Sequence, residues 1–152
     1  MIDNMWSLGT DDRLLSWRNF RRELDELDLE PALEKCVHLW SYVPFVNRYL
    51  RPEWPDQWPD PWNLLAENRY CDLAKALGML YTMYLTRHAD NIDMELRVYD
   101  STTERYNLVW IDDGKYVLNF HHDEIVNTQH IQKDLVLAFK YTAGELGIEK
   151  YR

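Results

Sequence analysis

The apolar residues of this 152-residue chain change their spacing once, near residue 90, and that change limits which folds the chain can adopt. Up to Leu85 they recur at steps of three and four, which is typical of helices that bury one face. From Met94 to Phe120 they alternate instead, as in strands with one buried face. Helices followed by a block of strands predict an α+β fold, and the length is typical of a single domain over residues 1–152.

Two amphipathic helices are predicted in the first third of the chain, after a short irregular lead over residues 1–10. Thr10 or Asp11 can cap the first helix, since their side-chain oxygens accept hydrogen bonds from free backbone N–H groups. Pro31 suits the first turn of the second helix, and Pro44 ends it. Each helix presents one apolar face for packing.

A longer helix is predicted to start behind an Asn68 cap and to reach Leu85, with Cys71 in its first turn. Its apolar face is wide, which indicates a central and largely buried position. Gly78 lies inside this helix, although glycine lowers helix propensity by about 1 kcal/mol relative to alanine. We therefore expect close packing against Gly78.

The alternating segment predicts a three-stranded antiparallel meander. Its strands are Met94–Tyr99, Arg105–Ile111 and Lys115–Phe120, and the run Asp112-Asp113-Gly114 marks the tight turn between the last two.

Beyond the meander, a C-terminal helix is predicted to follow Asn127 or Thr128 and to carry Ile131 and Phe139 on its apolar face. Residues 142–152 would then form a loose end or an arm. The expected order is N-terminal helices, a central Cys-started helix, a meander and a C-terminal helix.

Residues 51–62, the Trp/Pro loop, contain four of the six prolines and three of the seven tryptophans. Proline removes a backbone donor and favours extended geometry in the preceding residue, so this loop is stiffer than a Gly/Ser linker. Trp54, Trp58 and Trp62 recur every four residues. The indoles either plug their own domain or face a protein partner or a sugar.

Charge and composition exclude several classes of protein. Seventeen Lys and Arg against 26 Asp and Glu give a net charge of −9, which opposes nonspecific binding to nucleic acid. The chain shows no signal-peptide pattern and no apolar run long enough to span a membrane. No metal-ligand ladder or nucleotide-binding glycine motif occurs, so neither a metal nor a cofactor is predicted. Cys36 and Cys71 are expected to be free thiols, and a single Cys36–Cys71 bridge is the alternative.

Cys71 is the first candidate for chemistry. A helix N-terminus favours a thiolate, and a thiolate backed by a histidine is the arrangement of cysteine hydrolases and acyltransferases. His121 or His122 could supply the imidazole, with Asp123 or Glu124 to orient it. Alternatively, Cys71 is a buried cysteine that serves only packing, and the two histidines lie in an exposed turn. The same cluster together with His130 also has the residue types of a metal site.

The order of these elements resembles the transglutaminase-like branch of the papain-like fold. The matching residues are Tyr70-Cys71-Asp72-Leu73-Ala74-Lys75-Ala76-Leu77-Gly78 and the strand–turn–strand over 106–119, about 50 residues in all. In that family a Cys opens a helix, a His begins the next-to-last strand, and an Asp ends the strand after the Asp-Gly turn.

Carried over to this chain, the resemblance implies that only one residue of the Cys-His-Asp catalytic triad is present. Cys71 matches the nucleophile, the histidine position falls on Arg105 or Tyr106, and the aspartate position falls on or near Asn119. Neither arginine nor tyrosine replaces the usual imidazole base. The resemblance therefore implies a scaffold without a standard triad.

A second resemblance covers the whole chain. The segment Trp17-Arg18-Asn19-Phe20-Arg21, the Trp58-Pro59-Asp60-Pro61-Trp62 run and the strand Lys115-Tyr116-Val117-Leu118-Asn119 look like a family of small proteins of tailed bacteriophages. This resemblance implies a viral source, a location in the virion or the host cytoplasm, and other phage structural proteins as partners. It implies no activity.

Three functions are therefore predicted, in order of preference. The first is a non-enzymatic structural or interaction protein of a phage particle, with Trp54, Trp58 and Trp62 as its contact residues. The second is a cysteine hydrolase or acyltransferase that uses Cys71 with His121 or His122. The third is a carbohydrate-binding module that uses the three tryptophans.

Overall fold

The computed structural model of the chain describes residues 2–47, 49–131 and 133–152. Within these ranges the helices are α1 (Thr10–Asp25), α2 (Leu29–Trp40), α3 (Pro61–Glu67), α4 (Asp72–Tyr84) and α5 (Ala143–Leu146). The strands are β1 (Met94–Asp100), β2 (Arg105–Ile111), β3 (Tyr116–Leu118), β4 (Ile125–Val126) and β5 (Val136–Thr142). They form one antiparallel sheet in the order β4-β3-β2-β1-β5, with α4 packed against β1 and β2. The predicted α+β class is confirmed.

Helix α4 is the central helix, as its wide apolar face predicts, and ten of its 13 residues are buried. A Cβ atom added at Gly78 would lie 2.2 Å from two ring carbons of Trp40 on α2. The close packing expected at Gly78 is therefore confirmed, because only a residue without a side chain lets the indole approach the α4 backbone.

The observed helix ends agree with the predicted ends at one position and differ from them at others. Asp60 caps α3 as predicted and accepts a hydrogen bond from the Asn63 N–H at 2.8 Å. Asn68 does not start the central helix; it ends α3 in the left-handed conformation (φ 54°), which asparagine tolerates well. The N-cap of α4 is Cys71 itself, and that of α1 is Gly9 rather than Thr10 or Asp11.

The predicted irregular lead is also more ordered than expected. Ile2–Ser7 forms a 3-10 helix in which Met5 and Trp6 are buried. The Trp6 indole N–H donates to the Leu39 carbonyl of α2 at 3.2 Å. Burial of these two side chains attaches the N-terminal segment to the main core.

The sheet has five strands, not the three of the predicted meander, and the predicted C-terminal helix after Asn127 is wrong. A 3-10 turn, Thr128–His130, is followed by β5, which pairs with β1. The run Val136–Thr142 mixes β-branched, aromatic and small residues, so its apolar spacing fits either a helix or a strand. Pairing with the edge of β1 decides between them.

Residues 143–152, where a loose end or an arm was expected, pack against the domain. Helix α5 begins with a capping box between Thr142 and Glu145. Ile148 is buried in the main core, and Arg152 donates to the Thr86 carbonyl at 3.2 Å. Among the described residues, no helix is both long and apolar enough to cross a membrane.

Candidate functional site

Cys71 lies where three parts of the chain meet, at the N-terminus of α4. It is 5% exposed, and its Sγ accepts a hydrogen bond from the Leu50 N–H at 3.4 Å. The preceding residue, Tyr70, forms an isolated parallel bridge with Phe45, and its carbonyl accepts from the Val46 N–H at 2.9 Å. The segment after α2 is thus tied along the start of α4 and partly covers the thiol.

A pocket of about 260 Å³ adjoins the thiol. Its lining comes from the segment after α2, the start of α4 and the start of β2: Asn47, Leu50, Arg51, Pro52, Glu53, Cys71, Asp72, Leu73, Arg105 and Asn107. We call it the Cys71 pocket. Two arginines and two carboxylates make its wall polar and balanced in charge.

Asp72 connects the start of α4 with two asparagines of the sheet region. Its carboxylate accepts from Nδ2 of Asn107 at 2.9 Å and from Nδ2 of Asn119 at 3.3 Å. Asn119 Nδ2 also donates to the Asn107 carbonyl at 2.9 Å, and Asn119 adopts a left-handed backbone (φ 71°). Both amide orientations are fixed, because a carboxylate accepts only from the NH₂ end of an amide.

Asn107 follows Arg105 and Tyr106, the two residues to which the resemblance assigned the histidine position, and it also lines the Cys71 pocket. It is 7% exposed, and its Oδ1 is buried with no hydrogen-bond partner among the described residues. Arg105 also lines the pocket, but its guanidinium forms a bidentate pair with Asp100 at 2.7 and 2.9 Å. The Tyr106 ring contacts Phe120 instead, with ring centroids 5.0 Å apart. Along β2, side chains alternate between the two faces of the sheet, so Arg105 and Asn107 lie on one face and Tyr106 lies on the other.

His121 and His122 are exposed and contact aromatic rings rather than the pocket. The His121 ring centroid lies 4.6 Å from that of Phe120, and the His122 centroid lies 5.5 Å from that of Tyr42. The described residues that line the Cys71 pocket include no histidine. The structure therefore does not bring Cys71 into contact with either predicted imidazole.

Asp123, one of the two acids expected to orient those imidazoles, has other partners. The Asp123 carboxylate lies 3.0 Å from His38 Nδ1 and accepts from the Tyr42 hydroxyl at 3.3 Å, and the Asp123 N–H donates to Ser41 Oγ at 3.1 Å. His130 contacts Asn127 Oδ1 at 2.9 Å. Among the described residues, no three His, Cys, Asp or Glu side chains are grouped so that they could hold a metal ion.

Cys36, the second thiol, is completely buried in the main core. Its Sγ contacts the Met79 carbonyl at 3.7 Å, and burial raises the pKa of this thiol well above its usual value. Both cysteines are free, as predicted. Cys36 therefore serves packing, and the chain offers one thiol beside a pocket.

The Trp/Pro loop is anchored to its own domain through Trp58. The Trp58 indole N–H donates to the Arg51 carbonyl at 2.8 Å, and its ring packs edge-on against Tyr141 of β5 at 5.5 Å. The Tyr141 hydroxyl donates to the Pro52 carbonyl at 2.6 Å. These contacts give the loop a fixed shape and settle the direction of one of its three indoles.

Trp54 and Trp62 are directed outward. They are 47% and 40% exposed. The Arg51 guanidinium lies over the Trp54 ring at 5.3 Å, and Trp62 meets Tyr151 edge-on at 5.6 Å. The loop thus packs on its domain with one tryptophan and presents the other two.

Comparison with solved structures agrees with this fold. Two structures of LapG from Legionella pneumophila, one of them EGTA-treated, are similar to this chain at 15% sequence identity and a TM-score of 0.67. Each alignment covers 93% of this chain and 80% of the LapG chain. No family model and no curated protein matches the sequence.

The likeness to LapG supports the transglutaminase-like, papain-like resemblance at the level of the fold. It gives no support to a phage origin. Sequence reasoning missed Asn107, although the signal was present: on a strand, the residue two positions after Arg105 returns to the same face.

Proposed function

We propose that this chain is a protein-interaction domain on a transglutaminase-like scaffold, without hydrolytic activity. The observation that carries the proposal is that the described lining of the Cys71 pocket contains no histidine and that β2 contributes Arg105 and the amide of Asn107 to it. An asparagine amide does not take up a proton near neutral pH, so it cannot act as a general base. Asp72 and Asn119 hold this region in a hydrogen-bonded network that needs no substrate.

The interaction surface in this proposal is formed by Trp54 and Trp62. Tryptophan is enriched at the centres of protein interfaces because it buries a large apolar area. The anchored Trp/Pro loop lowers the entropy lost on binding, since its shape is fixed before a partner arrives. Trp58 supports the loop from inside and does not itself contact the partner.

The kind of partner follows from the sequence resemblance alone. In this proposal, Trp54 and Trp62 contact another structural protein of a tailed-phage particle. This part of the proposal rests on that resemblance, and the geometry of the loop is compatible with any partner that has an apolar groove.

A cysteine hydrolase is the second candidate, favoured by the LapG-like scaffold and by Cys71 at the start of a 13-residue helix. It requires His121 or His122 to reach the Cys71 pocket. Labelling with iodoacetamide between pH 5 and pH 9, read by mass spectrometry, separates the two candidates. We expect slow labelling of Cys71 at pH 6, with Cys36 as the buried reference; fast labelling at pH 6 would favour the hydrolase.

The interaction proposal is tested by a photoreactive amino acid at position 54 or 62 in the native host. Position 15 is the control, because Leu15 is 55% exposed and lies on α1. We expect one discrete cross-linked partner from positions 54 and 62, none from position 15, and the same product in Cys71→Ser. Equal cross-linking from all three positions, or its loss in Cys71→Ser, would contradict the proposal.

A further inference from the structure

The wall of the Cys71 pocket contains a buried acceptor that no donor of the described residues satisfies. Asn107 lines this pocket and is 7% exposed. Its Nδ2 donates to the Asp72 carboxylate at 2.9 Å, which fixes the orientation of the amide and leaves Oδ1 as the atom without a partner. An unsatisfied buried acceptor lowers stability, so its presence in a pocket wall favours a ligand that brings an N–H donor.

The start of α4, which forms another part of the same pocket, offers donors instead. Cys71, Asp72 and Leu73 line the pocket there. Cys71 is the N-cap of this 13-residue helix, and its side chain makes no capping hydrogen bond. The first N–H groups of a helix lack partners within the helix, and the helix dipole adds a positive potential, so this part of the pocket favours a carboxylate.

Two of the four charged side chains in the pocket wall have no ion-pair partner among the described residues. These two are Arg51 and Glu53. Arg105 is held by Asp100, and the Asp72 carboxylate accepts from two asparagines. The pocket therefore presents one uncommitted cation and one uncommitted anion.

Hydrogen bonds hold the backbone that carries these two charges. The Leu50 N–H donates to Cys71 Sγ at 3.4 Å, and the Pro52 carbonyl accepts from the Tyr141 hydroxyl at 2.6 Å. Arg51 lies between these two anchors and Glu53 directly follows the second. The backbone at both positions is therefore fixed before a ligand enters, which lowers the entropy lost on binding.

We propose that the Cys71 pocket binds a free α-amino acid in its zwitterionic form. The carboxylate lies against the first N–H groups of α4 and the Arg51 guanidinium. The ammonium donates to the Glu53 carboxylate and, after a small adjustment of the wall, to the buried Oδ1 of Asn107. The pocket of about 260 Å³ leaves room for the side chain of the amino acid beside Leu73.

A zwitterion fits these observations better than a simple anion or a peptide segment. A simple anion would leave Glu53 without a cation and the Asn107 oxygen without a donor, and the interior of a peptide carries neither charge. Because the zwitterion has no net charge, the −9 charge of the chain does not oppose its binding. The binding is noncovalent and does not depend on the partner contacts proposed for Trp54 and Trp62.

Isothermal titration with glycine, L-alanine and L-leucine tests the site, since these amino acids differ only in the size of the side chain. The one that binds best is then compared with its N-acetyl form, which has no ammonium, and with its amide, which has no carboxylate. We expect each of these two forms to bind about tenfold or more weakly than the parent amino acid. The bound amino acid should also slow iodoacetamide alkylation of Cys71, which lines the pocket. No binding by any of the three amino acids, or equal binding of the altered forms, would overturn the proposal.

Two substitutions that remove a charge test how the ligand is placed. Arg51→Gln should weaken binding about tenfold and remove the preference for the free carboxylate over the amide. Glu53→Gln should weaken binding to a similar extent and remove the preference for the free ammonium over the N-acetyl form. Arg69→Gln and Glu67→Gln are the matched controls, because both residues are exposed and lie outside the pocket lining. Thermal unfolding checks that all four variants fold. Binding that is indifferent to the two pocket substitutions, or that is weakened equally by the controls, would overturn the placement.

Discussion

Replacing Gly78 with alanine should destabilise the fold, although alanine is the better helix former. The added Cβ would meet two ring carbons of Trp40 at 2.2 Å and a third at 2.7 Å. Real Cβ contacts of ordinary length begin near 3.4 Å, so the indole or α4 has to move by more than 1 Å. The effect therefore depends on whether Trp40 can yield.

Trp40 is held on several sides. It is completely buried, and its indole N–H donates to Thr82 Oγ1 at 2.9 Å. Its ring packs against Trp6 and Tyr70 at centroid distances of 4.9 and 5.3 Å. Thr82 Oγ1 also receives the Trp17 indole N–H at 3.0 Å, so a shift of Trp40 disturbs a shared acceptor.

The expected loss follows from three contributions. Overpacking a tight core costs about 1–3 kcal/mol, and weakening a buried hydrogen bond costs about 1–3 kcal/mol more. The gain in helix propensity offsets about 1 kcal/mol. We expect a net loss of about 2–4 kcal/mol, which for a chain of this length lowers the melting temperature by roughly 5–15 °C.

Urea unfolding followed by tryptophan fluorescence measures this loss, with Gly144→Ala as the matched control. Gly144 is also a helical glycine, but the nearest atom to an added Cβ is the end of the flexible Glu149 side chain at 3.2 Å. We expect this control to be neutral or slightly stabilising. A Gly78→Ala protein as stable as the parent would refute the rigid packing of Trp40. The same conclusion would follow if adding Trp40→Phe to Gly78→Ala recovered none of the lost stability.

Three further predictions concern single side chains. Asn107→His should speed alkylation of Cys71 near pH 6–7, because an imidazolium beside the thiol stabilises the thiolate; an unchanged rate in iodoacetamide labelling would contradict this placement. Burial raises the pKa of Tyr70 above its usual 10.0, so the folded chain keeps a proton that the unfolded chain loses, and stability should fall as the pH rises above about 10. Tyr70→Phe should reduce this alkaline loss of stability in urea titrations. At neutral pH it should cost no stability, because the Tyr70 hydroxyl has no hydrogen-bond partner among the described residues. The control Tyr81→Phe should lose about 1 kcal/mol of stability, because it removes the 2.7 Å hydrogen bond of the Tyr81 hydroxyl. Arg13→Lys should cost about 2–3 kcal/mol in the same assay, because the buried guanidinium donates to three backbone carbonyls that one ammonium cannot span.

Local chemistry explains which parts of the fold were predictable. Asp60 followed by Pro61 defines a helix start within four residues, and the structure has the cap at that position. Gly78 in an otherwise apolar helix indicated a close neighbour, although the neighbour, Trp40, lies 38 positions away and could not be named. Such signals depend on a few adjacent residues and survive any tertiary arrangement.

The C-terminal region shows the opposite case. Val136–Thr142 has no cap and no clear period, so its own residues do not decide between helix and strand. The open edge of β1 supplies hydrogen-bonding groups that only a strand can satisfy, and the pairing also includes an irregularity between Val98 and Tyr99. Tertiary pairing therefore determined this element.

The candidate site was likewise predictable from the sequence only in part. The sequence by itself placed Cys71 near the start of the central helix, although it put the cap at Asn68, and it showed that neither Arg105 nor Tyr106 can serve as an imidazole base, because this follows from residue identity. Which side chain faces the thiol depends on the register of β2 and on the left-handed turn at Asn119, and both are fixed by contacts between distant segments. Only the tertiary structure placed Asn107 in the pocket, turned Trp58 inward and left Trp54 and Trp62 exposed, because the direction of a side chain is decided by what its backbone packs against.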